Sequence, residues 1–298
     1  MRKLIFGGVD GLGISQLRNM ANVADPSVTR RDGGYWMVLG AMDPARHAID
    51  LYSAESATPT DNWRIVTEPD DPKTALRIAE PPKPGDWDAT GYHCPSYANG
   101  FDGDGNPVER IYYASSAEWT SLYGPYQIGF LQWDGRTWQR HPTPVFSATQ
   151  PWELGTVLEP NVHYADGRWL MHYTAGLGEG RRTSTAVVAS ADGIGDWWPL
   201  DTPNADRFDT FVLADRAAVV VSRHPLDGNF TEDDGLWLLR GETSRQILRT
   251  ADGTAWHNLG AWKPTAVSDG EELVVFCTVM QGGNTGPVPL FGIGCVVV

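Results

Sequence analysis

An internal repeat is the feature of this sequence that most restricts its fold. Two segments, Ala24–Ala41 and Leu158–Gly176, align without a gap from Asp25 and Glu159 onward. Each has an acidic residue, then proline, a small polar residue and valine. An Asp-Gly pair follows seven residues after the acid, and an aromatic, apolar segment comes next. A repeated unit of this kind is typical of chains that fold as arrays of one supersecondary motif.

Three weaker copies of the repeat begin at Cys94, Asp209 and Lys263. Cys94 and Lys263 are followed by proline and a hydroxyl residue, whereas the copy at Asp209 lacks the proline. The chain therefore has five unit starts, separated by 50 to 69 residues. This spacing leaves room for four short strands in each unit.

A second recurring element is a short turn that precedes a tryptophan. It occurs at four places: Ser53–Trp63, Trp133–Trp138, Ser190–Trp198 and Thr250–Trp256. Three of these turns contain Asp-Gly, which supplies the positive φ of a tight hairpin. The segments before them are apolar or alternating, as strands are. We expect four tryptophans to pack inside the units: Trp63, Trp138, Trp197 and Trp256.

Five units of four antiparallel strands predict an all-β fold, a single five-bladed β-propeller over residues 1–298. The fifth unit lacks a tryptophan turn and ends in an apolar strand. We expect residues 1–7 to pair with the strand near residues 292–298 and close the ring, which removes the open sheet edges. A two-sheet β-sandwich is the alternative fold.

Composition excludes several classes of function. The net charge is −14, from 37 acidic and 23 basic residues, so nucleic acids and anionic membrane surfaces are not expected partners. No apolar run is long enough to span a membrane, and the N-terminal apolar run is too short for a signal peptide. We therefore expect a cytoplasmic protein. Three cysteines form neither a disulfide framework nor a zinc motif.

The repeat also predicts where the chemistry lies. The inner strand of each blade lines the central channel of a propeller, so residues at equivalent starts converge at one mouth. Asp25, Glu159 and Asp209 bring three carboxyl groups to that point. Buried carboxylates are costly unless they are paired, and cleavage of a glycosidic bond needs two of them.

The first and third copies resemble a known superfamily. The segment ADPSV followed by DGGYWMV, and the later segment EPNV, resemble motifs of the five-bladed glycoside hydrolases of families 43, 32, 62, 68 and 130. The resemblance implies that Asp25 is the base or nucleophile and Glu159 the general acid, with Asp209 as a third catalytic carboxyl. In the second copy, His93-Cys94-Pro95-Ser96 stands where family 43 has Trp-Ala-Pro-Asp, so Ser96 replaces an aspartate.

Cofactor and substrate-binding residues follow from the same arrangement. The resemblance allows a central calcium near a channel histidine, but the sequence has no calcium motif, and we predict neither a cofactor nor a metal. Aromatic side chains near the mouth suit the apolar faces of sugar rings. The predicted substrate-binding residues are His93, Cys94, Ser96, Trp119, Tyr123, Trp152, His224 and Lys263, with Tyr126 in the same group of loops.

The expected function is hydrolysis or transfer at the glycosidic bond of a carbohydrate or other small-molecule substrate. One alternative is a non-hydrolytic acid–base enzyme of small-molecule metabolism, which the missing second-unit carboxylate favours. The other is a carbohydrate-binding propeller without catalysis. The separation of the Asp25 and Glu159 carboxyl groups bears on the outcome, because retaining enzymes have about 5–5.5 Å and inverting enzymes about 6.5–9.5 Å.

Overall fold

Five four-stranded antiparallel sheets form the blades of a β-propeller in the computed structural model of the chain. The structure describes residues 1–8, 10–119, 124–176, 183–201, 209–213, 218–223, 231–250, 256–282 and 290–298. The prediction of a five-bladed, all-β propeller is confirmed. In the described residues, no helix is long and apolar enough to cross a membrane.

Each blade is described from its innermost strand outward. Blade 1 contains β2 (Ala21–Arg31), β3 (Gly34–Asp43), β4 (Ala48–Ser56) and β5 (Arg64–Ile65). Blade 2 contains β8 (His93–Phe101), β9 (Pro107–Ser115), β10 (Gln127–Trp133) and β11 (Trp138–Arg140). Blade 3 contains β12 (Val157–Ala165), β13 (Arg168–Ala175), β14 (Ser184–Ser190) and β15 (Trp198–Pro199). Blade 4 contains β16 (Asp209–Leu213), β17 (Ala218–Arg223), β18 (Gly235–Arg240) and β19 (Thr243–Arg249).

Blade 5 joins the two ends of the chain. It contains β20 (Gly260–Asp269), β21 (Glu272–Gln281), β22 (Leu290–Val297) and, outermost, β1 (Arg2–Gly7). Strand β1 pairs antiparallel with β22, from Arg2 opposite Val296 to Gly7 opposite Gly292. The predicted closure of the ring by the N-terminal strand is therefore confirmed.

Two small elements lie outside the blades. A hairpin of β6 (Thr67–Glu68) and β7 (Asp71–Ala75) connects blades 1 and 2, and a 3₁₀ turn, Pro151–Glu153, precedes blade 3.

Apolar cores lie between neighbouring blades. Met37 of blade 1 shares a core with Phe276 of blade 5, and Tyr112 of blade 2 shares one with Met171 of blade 3. Blade sheets are thus covered on both faces, which explains why the middle strands carry long apolar runs.

The fourth tryptophan turn differs from its prediction. The hairpin that closes blade 4 turns between Arg240 and Thr243, where Gly241 has a φ of 56°. Residues 251–255 of the predicted turn Thr250–Trp256 lie outside the described residues, and the segment comes after β19, the outermost strand of blade 4. Trp256 still packs in the core of blades 4 and 5, where its ring contacts the backbone of Gly294 so closely that a Cβ there would lie 2.3 Å from it. The tighter turn at Gly241 explains the difference, because two residues suffice to reverse the chain.

Candidate active site

The same local backbone conformation occurs at four positions in the site. The residue before proline has a left-handed backbone at each of Asp25, Cys94, Glu159 and Lys263, with φ between 49° and 57°. The strand register shifts at the same four places, as in a β-bulge. This conformation is unfavourable for residues other than glycine and costs on the order of 1–3 kcal/mol each. A bulge redirects a side chain, and here it turns all four toward the centre of the ring.

The side chains from the five repeat starts meet in one cluster. One oxygen of Asp25, one oxygen of Glu159 and the sulfur of Cys94 all lie within 4.8 Å of one another. The ammonium of Lys263 is 4.0 Å from Glu159 Oε2. The backbone N–H of Lys263 donates to Asp209 Oδ2 at 2.5 Å, which joins the fourth blade to the group. The repeat alignment predicted this convergence, although blade 4 reaches it without a bulge.

The two principal carboxyl groups have different hydrogen-bond environments. Asp25 accepts from Thr278 Oγ1 at 2.9 Å and from the backbone N–H of Cys94 at 3.2 Å. Its own N–H donates to Thr278 Oγ1 at 2.7 Å, which fixes the position of that hydroxyl. Glu159 Oε2 is buried and has no hydrogen-bond partner among the described residues. Donors favour the ionised form, so Asp25 is the better site for a negative charge.

Burial and neighbouring charges act on the acidity of all three carboxyl groups. Burial raises the pKa of Asp25, and the Lys263 charge and the Thr278 hydroxyl oppose the rise. Burial and then the Asp25 carboxylate raise the pKa of Glu159 well above its usual range. Burial also raises the pKa of Asp209 to about 6, against the effect of Lys263. The donors to Asp25 favour its ionised form and the bare Oε2 of Glu159 favours its protonated form, which is the arrangement that a paired acid and base requires.

Cys94 is a neutral thiol within the cluster. Burial raises its pKa well above the usual value, and the Asp25 and Glu159 carboxylates raise it further. Because the thiolate is the nucleophilic form, Cys94 is not suited to covalent catalysis.

The same residues are the converging group of potential metal ligands in the described part of the chain. Calcium takes six to eight oxygen ligands. Two carboxyl groups, a neutral thiol and an ammonium 4.0 Å from one of those carboxyls do not match that requirement. Among the described residues, Lys263 supplies a positive charge to the cluster.

An aromatic group lies beside Cys94. The ring of His93 is 5.0 Å from that of Trp119 and 5.4 Å from that of Tyr126. Trp119 is 45% exposed, and its indole N–H donates to the backbone of His47 at 3.1 Å. Burial lowers the pKa of His93 to about 4, so the ring is neutral at pH 7. Its Nε2 is buried and has no hydrogen-bond partner in the described structure.

Two other predicted substrate-binding residues have structural contacts. The Ser96 hydroxyl accepts from the backbone N–H of Val162 at 2.9 Å and so connects blades 2 and 3. Trp152 lies on the 3₁₀ turn and stacks on Tyr173 at 6.1 Å, against the core of blades 2 and 3. Both residues thus have structural contacts, and their roles in substrate binding stay predictions. Tyr123 and His224 lie outside the described residues.

Thr278 is a site residue that the sequence analysis missed. It lies on β21, directly opposite Trp262 of β20, and is fully buried. The available signal was a single hydroxyl in the apolar run Leu273–Met280. Its contact with Asp25 spans 253 residues of sequence, so no local pattern indicates it.

Solved structures of propeller glycoside hydrolases resemble this chain over nearly its whole length. A family 117 glycoside hydrolase from the marine bacterium Zobellia galactanivorans has a TM-score of 0.65 at 15% identity, covering 100% of this chain and 90% of that one. An α-L-arabinofuranosidase from Lactobacillus brevis has a TM-score of 0.61 at 12% identity, covering 96% and 93%. An α-L-arabinofuranosidase from Podospora anserina, solved with cellotriose, has a TM-score of 0.55 at 11% identity, covering 99% and 94%.

No protein-family model and no curated protein sequence matches the chain. Identities of 11 to 15% establish the fold alone. The resemblance predicted from the repeat motifs is confirmed at that level, because families 43, 62, 117 and 130 are represented among the similar structures.

Proposed function

We propose that this protein is a glycoside hydrolase or transglycosidase, with Asp25 as base or nucleophile and Glu159 as general acid. The observation that carries the proposal is the approach of their carboxyl oxygens to within 4.8 Å at the point where the five blades meet. The fold shared with solved glycoside hydrolases supports it.

Each residue has a defined role in this mechanism. Glu159 donates its proton to the glycosidic oxygen as the bond to the leaving group breaks. Asp25, held by Thr278 and the Cys94 N–H, attacks the anomeric carbon or takes the proton of a water molecule. The nearest oxygens of the two groups, within 4.8 Å of each other, leave little room for a water molecule between them, and this supports attack by Asp25 with retention of configuration.

The aromatic group is the proposed sugar-binding surface. Trp119 offers an exposed ring face for the C–H groups of a sugar. The neutral ring of His93 packs against Trp119 and supports this surface from below. His93 directly precedes Cys94, so a sugar ring bound on Trp119 is on the side of the carboxyl pair.

Steady-state kinetics on an activated aryl glycoside and on a natural-type glycoside test the proposal. Asp25→Asn should lose at least about 10²–10⁴-fold in kcat on both substrates, which is the usual contribution of acid–base groups. Glu159→Gln should lose less on the aryl glycoside, because its leaving group needs no proton. Asp32→Asn, on the exposed turn of the same blade, is the matched control and should keep full activity.

The outcomes separate the alternatives. If the wild type turns over neither substrate, hydrolysis is refuted, and the non-hydrolytic or carbohydrate-binding alternative takes its place. If Glu159→Gln is equally impaired on both substrates, Asp209 is the next candidate for the acid. NMR of the first-formed product gives the anomeric configuration, and an inverted product would contradict the role of Asp25 as nucleophile.

A further inference from the structure

Lys263 is a buried lysine that the backbone fixes at the centre of the ring. It is 3% exposed, and it is the fourth residue of β20, the innermost strand of blade 5, with a φ of 49°. Its ammonium donates to the backbone carbonyl of Pro160 at 2.5 Å. Pro160 directly follows Glu159, so the charge is tied to the segment that carries the proposed acid.

Lys263 faces more negative groups than it can neutralise. Five titratable groups lie around it: the carboxyls of Asp25, Glu159 and Asp209, the thiol of Cys94 and the hydroxyl of Tyr126. Burial raises the pKa of the Tyr126 hydroxyl, as it does for the thiol. In the described residues, no other lysine or arginine forms an ion pair with any of the three carboxyls. Three buried carboxylates with one cation would be strongly unfavourable, so protons must remain on some of them.

We propose that Lys263 is the internal counter-ion of the Asp25–Glu159 pair, and that its charge lets the pair hold one negative charge together with one proton for the leaving group. This inference rests on the proposed function and adds a positioning residue to it. The ammonium is 4.0 Å from Glu159 Oε2, which is beyond hydrogen-bond distance. It donates its hydrogen bond to the Pro160 carbonyl instead. Lys263 therefore acts through its charge and not by transferring a proton.

Loss of the charge has a definite sign. The Lys263 cation lowers the pKa of both Asp25 and Glu159, so its removal should raise both values. The acidic limb of a bell-shaped activity profile reports the base, and the alkaline limb reports the acid. Both limbs should move to higher pH, and the fraction of active enzyme at pH 7 should fall.

The test compares Lys263→Gln with Lys263→Arg. The glutamine amide can still donate to the Pro160 carbonyl but has no charge, and the arginine keeps the charge. In Lys263→Gln we expect both limbs of the kcat/KM profile to rise by about one pH unit or more, the usual effect of an opposite charge within about 4–6 Å of a carboxyl pair. Lys263→Arg should stay within a few tenths of a pH unit of wild type. Lys3→Gln, which removes a surface cation paired with Asp61, should leave the limbs unchanged.

A fall in kcat without movement of either limb would overturn the proposal and leave Lys263 a structural role. If Lys263→Gln does not fold, Lys263→Met is measured in its place. Carboxyl ¹³C NMR titration of the full chain, free of ligand, gives the Asp25 and Glu159 pKa values directly. If the wild type cleaves no glycoside, the proposed function fails, but this titration still decides whether Lys263 lowers the pKa values of the Asp25–Glu159 pair.

Discussion

At the scale of single residues, the residues on either side of proline do two tasks in the bulged blades. The residue before proline points into the centre in all four of them. In blades 1, 2 and 5 the hydroxyl residue after proline binds the next blade, whereas blade 3 has Asn161 at that position. Ser27 accepts from the N–H of Tyr97, and Ser96 accepts from that of Val162. Thr265 does the same for Val28 across the closure of the ring. The repeated small polar residue therefore holds adjacent inner strands in register.

Removing one of these hydroxyls should destabilise the fold. Ser96→Ala leaves the buried N–H of Val162 without a partner, and we expect a loss of about 1–3 kcal/mol in the free energy of unfolding. Urea denaturation followed by tryptophan fluorescence measures it. Ser244→Ala, on the exposed outer strand of blade 4, should change this value by less than about 0.5 kcal/mol. Equal effects of the two substitutions would show that Ser96 does not link the blades.

The cysteines should be inert in the folded protein. Cys94, Cys277 and Cys295 are all buried and free. Burial raises the pKa of Cys295 to about 11 and that of the other two further. We expect negligible reaction with Ellman's reagent at pH 8 and three reactive thiols after unfolding. One fast thiol in the native protein that disappears in Cys94→Ala would contradict the neutral state of Cys94.

At the scale of elements, the N-terminal strand carries part of the core. Phe6 on β1 is 1% exposed and packs between blades 1 and 5. Phe6→Ala should cost about 3–5 kcal/mol. Phe101→Ala, at a position that is 45% exposed, should cost much less, and thermal unfolding of both variants measures the difference.

Deletion of residues 1–7 should expose the edge of β22 and cause aggregation, visible by light scattering.

The sequence predicted most of the fold because the relevant signals were local. Asp-Gly turns, apolar alternation and residue–proline starts each fall within about ten residues, and together they define four-stranded blades. The assignment of Trp256 to a hairpin turn was wrong because Thr250–Trp256 looks like the other tryptophan turns, while the true reversal at Gly241 is a two-residue turn.

Only those site residues that occupy repeated positions were predictable from the sequence. Asp25, Glu159 and Lys263 could be placed together because they occupy equivalent positions. Thr278 could not, because it belongs to a second strand and meets Asp25 only after the ring closes. The contact of Ser96 with Val162 was equally hidden, since it depends on the offset between neighbouring blades.

At the scale of the whole molecule, the charged centre makes stability depend on pH. Asp209 has a pKa of about 6 in the folded state against 3.8 ordinarily, so the folded state holds a proton that the unfolded state releases. Its contribution to stability is therefore complete below about pH 4 and is lost as pH rises through about 6. His93, whose pKa is lowered to about 4, acts in the opposite direction over a similar interval. Individual variants must separate these contributions.

Asp209→Asn removes the titration while keeping an acceptor for the Lys263 N–H. We expect the variant to gain stability relative to wild type between pH 4 and 7, by up to roughly 3 kcal/mol for a shift of about two pKa units. Chemical denaturation at several pH values measures this difference. Asp134→Asn should show the opposite sign, because exposed backbone hydrogen bonds lower the pKa of that carboxyl. A pH-independent difference for Asp209→Asn would mean that this carboxyl is not a source of the pH dependence.

The pairing of β1 with β22 also has a consequence for how the protein is made. Of the strands in blade 5, β1 is translated first and β22 last. A ribosome that adds about 5–20 residues per second needs roughly 15–60 s to travel between them. During that time Arg2–Gly7 has emerged without its partner, Leu290–Val297. Blades 1 to 4 are complete earlier in translation, but the central cluster needs Lys263 and Thr278 from blade 5. The nascent chain therefore has no assembled site. The buried central cluster of Asp25, Glu159, Asp209 and Lys263 forms only after the strands of blade 5 have been synthesised.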